Sequence, residues 1–221
     1  MSMAKLTILG SDYIGAFSMA TDSFSLVGRS STKGERKVIN EDLETKVYEL
    51  SVDGSDLIGI YAACNSKSVL LPSAAYMHEM KVLKKHLPNV NVEIFDTDLN
   101  ALGNNILTND KTAIINPEYS SKEAKKIADI LDVEVIKMSI GGFETVGANN
   151  LLTNKGIVLN NRVSGEEEDK LKEIFSNVSQ STANLGALSI GLCAIANSKG
   201  LIVGRSTTGH EIVNMSDGLG L

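Results

Sequence analysis

A ring of five α/β units about one axis is the fold this sequence predicts, and three observations predict it. Gly15, Gly59, Gly103, Gly147 and Gly191 recur at an unbroken step of 44 residues, each after a branched aliphatic: Ile14, Ile58, Leu102, Val146 or Ile190. Five such periods account for all but one of the 221 residues, and self-similarity at a period of this size marks propellers, solenoids and arrays. Within each period short apolar runs alternate with a capped amphipathic helix, and Trp is absent. Blades of an all-β propeller instead carry four strands and often a Trp-Asp pair. The expectation is one closed domain, residues 1–221, of five repeats of about 44 residues, with strands inside and helices outside.

The unit begins with an apolar run such as Leu57–Cys64, which reads as a buried strand. Small residues crowd it in several copies (Ala16, Ala62, Ala63, Ala194, Ala196), as suits strands converging on a narrow axis. Six residues after the glycine come Asn65, Asn109 and Asn197, and the fourth copy carries Asn154 one position late. Eight after it come Lys67, Lys111, Lys155 and Lys199. These polar residues mark a hairpin turn into a second apolar run, Val69–Leu71 in copy two. In Asn197–Gly200 the glycine is expected to take the left-handed conformation of a type I turn with a G1 bulge. Ser68 and Thr112 at that point predict more strained turns in copies two and three.

The period then switches to helix. Ser120 with Glu123 and Ser164 with Glu167 are capping boxes. Ala124, Ile127, Ala128 and Leu131 form one apolar stripe; Leu171, Ile174 and Phe175 repeat it, as do Met80, Leu83 and Leu87. The first copy is more polar over Lys33–Lys46, with Ile39 and Leu43 as its anchors. A third strand closes each unit, over Val90–Phe95, Val133–Met138 and Val178–Thr182. Copy five is short, its helix signal running through Glu211–Met215. The orphan strand Ala4–Leu9 is expected to complete or flank the last blade, which removes an open sheet edge.

Composition narrows the function classes. A formal charge of −6 and a pI near 5.2 argue against a broad nucleic-acid footprint, because neutralising many phosphates takes a basic face. No run of 18 apolar residues and no charged-then-apolar leader is present, so a cytoplasmic location is expected. Cys64 and Cys193 lie three repeats apart in apolar segments and read as inert hydrophobes, with no disulfide expected. His78, His86 and His210 lack ligand partners at metal spacing. Neither metal nor cofactor is expected.

Several segments resemble the translation initiation factor 6 family of archaea and eukaryotes. They are Ala101–Asn104 with Leu107–Lys111, Thr145–Gly147 with Thr153–Gly156, and Ile195–Gly200. Thr207-Thr208-Gly209-His210-Glu211 and Gly218–Leu221 resemble its archaeal branch, and the similarity runs the whole chain in register. Departures fall in the polar first helix and at Ser206 and His210. The resemblance implies the pentein fold and a non-catalytic function. A protein of this family binds the large ribosomal subunit, chiefly a ribosomal protein near the sarcin–ricin loop with limited rRNA contact. It thereby blocks premature joining with the small subunit, and eukaryotic members also act in large-subunit biogenesis. A monomer is expected, with no membrane involved.

By column, the resemblance places the ribosome-binding face just after the repeated glycines. Asn104 leads, followed by Ile60, Tyr61, Asn105, Ala148 and Asn149. The asparagines have a local reading too, satisfying backbone groups at strand starts. The lysine column allows a basic ring that holds an anion or solvent-facing turn residues, and turn chemistry favours the second. Guanidino-modifying enzymes share the five-bladed architecture, so Cys193 with His210 forms a rival catalytic reading. That pair needs side chains within hydrogen-bond reach, and no acidic partners for a guanidinium are evident among the first strands. A third reading is a hub that binds several partners.

Overall fold

The computed structural model describes residues 2–221. The opening strand β1 (Ser2–Leu6) leads to a one-turn helix α1 (Ile14–Phe17), the hairpin β2 (Ser18–Ala20) and β3 (Phe24–Gly28), helix α2 (Lys33–Leu43) and strand β4 (Lys46–Leu50). Repeat two follows with α3 (Ile58–Tyr61), β5 (Ala63–Cys64), β6 (Ser68–Pro72), α4 (Met77–His86) and β7 (Asn91–Phe95). Repeat three has α5 (Leu102–Asn105), β8 (Ile106–Thr108), β9 (Thr112–Ile115), α6 (Ser121–Leu131) and β10 (Glu134–Lys137). Repeat four has α7 (Val146–Asn149), β11 (Leu151–Leu152), β12 (Ile157–Asn160), α8 (Gly165–Lys172) and β13 (Val178–Ser181). The last has α9 (Ile190–Cys193), β14 (Ala194–Ala196), β15 (Gly200–Gly204) and α10 (Gly209–Leu219), whose final turn extends beyond the helix signal in the sequence.

Five three-stranded sheets result, each with an antiparallel inner pair and a parallel outer strand. The middle strands β3, β6, β9, β12 and β15 are buried along their whole length, which is why they are predominantly apolar. The fifth sheet takes its outer strand from the start of the chain: β1 runs parallel to β15, Ser2 opposite Gly200 and Leu6 opposite Gly204. The expected closure by the N-terminal strand is therefore how the ring is completed.

The core lies between neighbouring repeats. Phe24, Leu26 and Leu50 of repeat one pack with Ile58, Val69, Leu71 and Leu83 of repeat two, and four further clusters fill the other junctions. Each buried aliphatic contributes roughly 1.5–3 kcal/mol relative to an exposed one. Ile39 and Leu43, the anchors of the polar first helix, are fully buried.

Three local expectations are corrected. The repeated glycines sit in one-turn helices, not strands; periodicity cannot separate short apolar helices from strands. Gly200 is not among the residues with positive φ. Glycine is needed there because an added Cβ would stand 2.2 Å from the Asp42 carbonyl oxygen. Ser68 at the same point is correspondingly comfortable, its Oγ donating to Ile130 O at 2.6 Å. Finally, the fourth copy does not slip. Thr153 fills the turn column, its Oγ1 accepting from the Lys155 amide at 3.2 Å, and Asn154 belongs to the next column with Asp22, Ser66, Asp110 and Ser198.

Candidate functional site

The ring has two unlike ends, and the geometry of each follows from its repeated residues. At one end, sharp turns lead into the one-turn helices. The glycines there form a closed cycle. A Cβ added to Gly59 would lie 1.8 Å from Gly15 O, one on Gly103 2.0 Å from Gly59 O, and one on Gly147 2.1 Å from Gly103 O. The cycle continues from Gly191 to Gly147 O and closes from Gly15 to Gly191 O, both at 2.0 Å. Only glycine permits backbones to approach so closely.

The turns themselves are held by one glutamate per repeat, Glu35, Glu79, Glu123, Glu167 and Glu211, at the third position of each outer helix. Each caps its own helix and reaches a turn about 26 residues back. Glu79 accepts from Ser51 Oγ at 2.6 Å and from the amides of Asp53 and Gly54 at 3.0 and 3.1 Å. Glu211 accepts from Thr182 Oγ1 at 2.8 Å and from Gly186 N at 2.9 Å. Burial pushes the Glu79 carboxyl up, but bonds from Ser51, Tyr76, Gly54 and Asp53 outweigh it, so it lies below its ordinary 4.5. Glu211 is likewise raised by burial and lowered further by Thr208, Thr182 and Gly186, with a net fall. This second task of the capping glutamates was missed in the sequence, although their 44-residue spacing was there to be read.

At the opposite end, hairpin tips are stitched by the asparagine column. Asn65 Nδ2 donates to Asn109 O at 3.2 Å and to Leu131 O at 2.8 Å; Asn109 Nδ2 donates to Thr153 O at 3.0 Å; Asn197 Nδ2 donates to Thr21 O at 3.1 Å and Leu43 O at 2.8 Å. Two members of the lysine column turn to helix ends. Lys67 pairs with Asp132 and Lys199 donates to Glu44 O at 3.1 Å, both at the ends of outer helices, where a cation meets the negative pole of the helix. Between the two ends an axial channel of about 100 Å3 is lined by Ala62, Ala63, Ala194, Ala196 and the five glycines.

All six predicted site residues lie in the one-turn helices α3, α5 and α7, at the turn end. They differ in what is left free. Ile60, Tyr61 and Asn104 are half-buried, whereas Asn105, Ala148 and Asn149 are buried. Asn105 donates to Ala101 O at 3.0 Å and accepts from Asn116 Nδ2 at 2.9 Å. Asn149 donates to Thr145 O at 3.0 Å and to Thr145 Oγ1 at 2.9 Å. Asn104 is unlike both: its Oδ1 has no hydrogen-bond partner.

Cys193 is fully buried, and burial, ahead of the Glu211 and Asp12 charges and against a bond to Asn184, pushes its thiol up to about 12. A thiol so raised is not a thiolate at neutral pH and makes a poor nucleophile. His210 meets Asn214 at 3.4 Å. Among the described residues no group of three or more His, Cys, Asp or Glu is placed to hold a metal, and no helix is long and apolar enough to cross a membrane.

A family model described as the eIF-6 family matches residues 3–218. A sequence comparison with curated proteins gives no match. Among solved structures, the chain is similar to the N-terminal domain of ArgZ, an arginine dihydrolase from the ornithine–ammonia cycle in cyanobacteria, in its substrate-bound form. The TM-score is 0.52 at 15% identity, covering 85% of this chain and 71% of that one. The same domain bound covalently to a reaction intermediate gives 0.50 at 16% identity, covering 76% and 67%. At such identities the likeness concerns the fold alone.

Proposed function

The chain belongs to the eIF-6 family, and on that premise we propose that it seats the turn end of its ring on the large ribosomal subunit, so that its bulk excludes the small one. The chain is a translation initiation and ribosome anti-association factor. The working body is the five-bladed ring itself. A steric blocker needs a rigid shape and one complementary face, and a preformed face avoids ordering costs on binding.

The observation that supports the turn end is the contrast among its asparagines. Asn105 and Asn149 use their amides within their own repeats. Asn104, half-buried in the same one-turn helix as Asn105, has an Oδ1 that is enclosed and unmatched in the chain, a polar group that a small rotation of the amide would bring to a partner. Ile60 and Tyr61 add a half-exposed apolar and aromatic contact beside it. The contact is chiefly with a ribosomal protein near the sarcin–ricin loop, with little rRNA involved, because an acidic body repels phosphate and favours a basic protein. The factor acts as a cytoplasmic monomer without catalysis, and serves large-subunit maturation as well. Cys193 takes no part, consistent with its burial.

Sucrose-gradient sedimentation with purified subunits tests this reading. Wild-type protein co-migrates with large subunits and is absent from joined ribosomes. Asn104→Arg weakens co-migration at least about tenfold, near 1.4 kcal/mol, with an unchanged melting temperature. Equal binding by that variant would remove Asn104 from the face.

A further inference from the structure

Repeat two departs from the other four at two exposed positions of its outer helix. The N-cap column holds Thr32, Ser120, Ser164 and Thr208, small hydroxyl residues of the kind that capping favours, and Tyr76 in repeat two. A second column holds Glu41, Asp129, Glu173 and Asp217, and Lys85 in repeat two. Tyr76 is 49% exposed, and Lys85 is exposed as well. A helix cap does not call for tyrosine, and four copies of the same helix carry an acid where repeat two carries a lysine.

The outer face of α4 is left with basic residues and no acid. His78, Lys81, Lys84, Lys85 and His86 are exposed, and the lysines stand at i, i+3 and i+4, on one face. The only acid of the helix, Glu79, is buried and spent on the amides of Tyr76, Asp53 and Gly54. In α2, α6 and α8, by contrast, lysines share the surface with acids: Lys37 pairs with Glu41, Lys172 pairs with Glu168, and Asp129 stands near Lys125 and Lys126. The strands beside α4 turn their acids elsewhere. Val92 and Ile94 of β7 pack with Leu83 of α4, whereas Phe95 packs into the next repeat's cluster, so Glu93 lies on the face away from α4. Tyr48 of β4 packs towards α4 and Val47 towards α2, and Glu49 follows Val47 to pair with Arg36 of α2. Asp53, beside the start of the helix, meets the Tyr76 hydroxyl. Lys46, Lys81, Lys84 and Lys85 form no ion pair among the described residues.

An aromatic pair stands at each end of this basic face. Tyr76 and His78 stack at 5.5 Å with their planes 16° apart, and Tyr48 and His86 stack at 5.6 Å and 23°. Lys46 Nζ lies 5.0 Å from the centre of the Tyr48 ring. The length of α4 separates the two pairs by about 12–15 Å. The negative pole at the helix end favours Lys84 and Lys85 without any ligand, but it accounts for neither Lys46 and Lys81 nor the two aromatic pairs.

We propose that the outer face of α4 binds an unpaired stretch of RNA. Phosphates lie along Lys81, Lys84 and Lys85, with Lys46 beside the second aromatic pair, and bases stack on Tyr76–His78 and Tyr48–His86. Lysines that follow a backbone, combined with aromatic rings on which bases stack, hold a single strand without reading its sequence. An acidic protein would use the lysines and leave the rings idle. The net charge of −6 belongs to the whole surface, and this face departs from it. The strip runs along the outer wall, from the Asp53–Gly54 turn to the start of β7 by the Lys67 hairpin, apart from the one-turn helices. The choice of RNA over DNA rests on the ribosomal reading above; the strip itself does not.

Fluorescence anisotropy of the full chain with a short unpaired RNA of mixed sequence tests this without any ribosome present. Binding is expected at about 50 mM salt, falling roughly 20- to 50-fold by about 200 mM, as three or four lysines on a single strand require. Tyr76→Ser and Lys85→Glu each install a residue that other repeats carry in the same column, so both variants keep the fold, which thermal melting checks. Lys85→Glu lowers affinity about tenfold at low salt and makes the salt dependence shallower. Tyr76→Ser lowers it at least about fivefold and leaves the salt dependence as it was. Lys125→Glu, on the mixed surface of α6, changes nothing. If wild-type protein leaves the RNA free at low salt, or if both variants bind it as wild type does, the strip is refuted while the anti-association reading stands. Equal binding of duplex RNA, or displacement by polyglutamate with Tyr76→Ser indifferent, removes the stacked bases and overturns the RNA partner. A DNA strand of the same sequence that binds more tightly overturns RNA as its source. Absence of co-migration with large subunits, with RNA binding intact, sinks the anti-association reading and leaves the strip standing.

Discussion

The hairpin end of the ring keeps its symmetry and the turn end breaks it. At the hairpin end the same asparagine bonds recur in repeats two, three and five, and threonine stands in for it in repeats one and four. The asparagines reach the neighbouring repeat through Nδ2 and hold their own turn through Oδ1, and the threonines keep the second of these tasks. The turn end retains symmetry only where repeats meet, in the glycine cycle and the glutamate anchors. Its outward positions diverge into Leu9, Asp53, Thr97, Gly141 and Leu185 along one column, and Ala16, Ile60, Asn104, Ala148 and Leu192 along another. Interfaces between copies hold a repeat constant, and a face that meets something unlike itself does not.

The glycine cycle is where that comparison is broken most severely. Gly103→Val places side-chain atoms into the Gly59 carbonyl oxygen and the Ala62 carbonyl oxygen, 2.0 and 2.5 Å from the Cβ position. Neither is the movable end of a side chain. Loss of at least about 3 kcal/mol is expected, read as a large fall in the urea midpoint. A smaller fall of about 1 kcal/mol would show that the helices can slide apart and that the cycle is looser than its geometry implies.

Asn197→Ala probes the hairpin end. It removes two bonds to the neighbouring repeat and strands the Lys199 and Gly200 amides that Asn197 Oδ1 accepts at 2.9 and 3.1 Å. About 2–3 kcal/mol is expected, with subunit binding unchanged per folded molecule. A comparable loss of binding would mean that the two ends are coupled and that the division drawn here is too sharp.

The glutamate anchors give the mildest and most specific effect. The folded-state carboxyls of Glu79, Glu123, Glu167 and Glu211 lie below the ordinary 4.5. For Glu123 the Ser120 and Thr97 bonds lead; for Glu167 burial opposes and the Ser164 and Gly141 bonds prevail. An acid depressed on folding adds stability above its unfolded pKa and loses it as the pH falls through the folded one. Thermal stability should therefore decline below pH 4.5, and Glu79→Gln should flatten part of that decline while costing about 1–2 kcal/mol at neutral pH. An acid limb unchanged in that variant would assign the proton uptake to other carboxylates.

Legibility followed the range of the interaction. The capping pairs Ser120–Glu123 and Ser164–Glu167 could be read because both partners lie three residues apart, and the amphipathic stripes because their period is local. The Glu79 anchor spans 26 residues and the Asn65 stitch 44, so sequence showed the columns without their partners. The six site residues were reached by column and resemblance, and they do share the turn end. The separation of Asn104 from Asn105 and Asn149 depended on burial and on Asn116 and Thr145, and the exposed left-handed positions of Leu9 and Leu185 on backbone φ. Neither has a sequence signature, because an exposed leucine in a strained turn is spelled like any other leucine.

By itself the sequence determined that the chain is built from five copies, where the outer helices of copies three and four begin, and that its first strand is left over for closure. These are properties of period and of contacts a few residues long, which each copy repeats independently. Only the tertiary structure decided why the repeated residue must be glycine, which amides are free, and where leucine stands exposed in a left-handed turn. Those outcomes arise where one repeat presses on the next, and closing the ring alone brings those surfaces together.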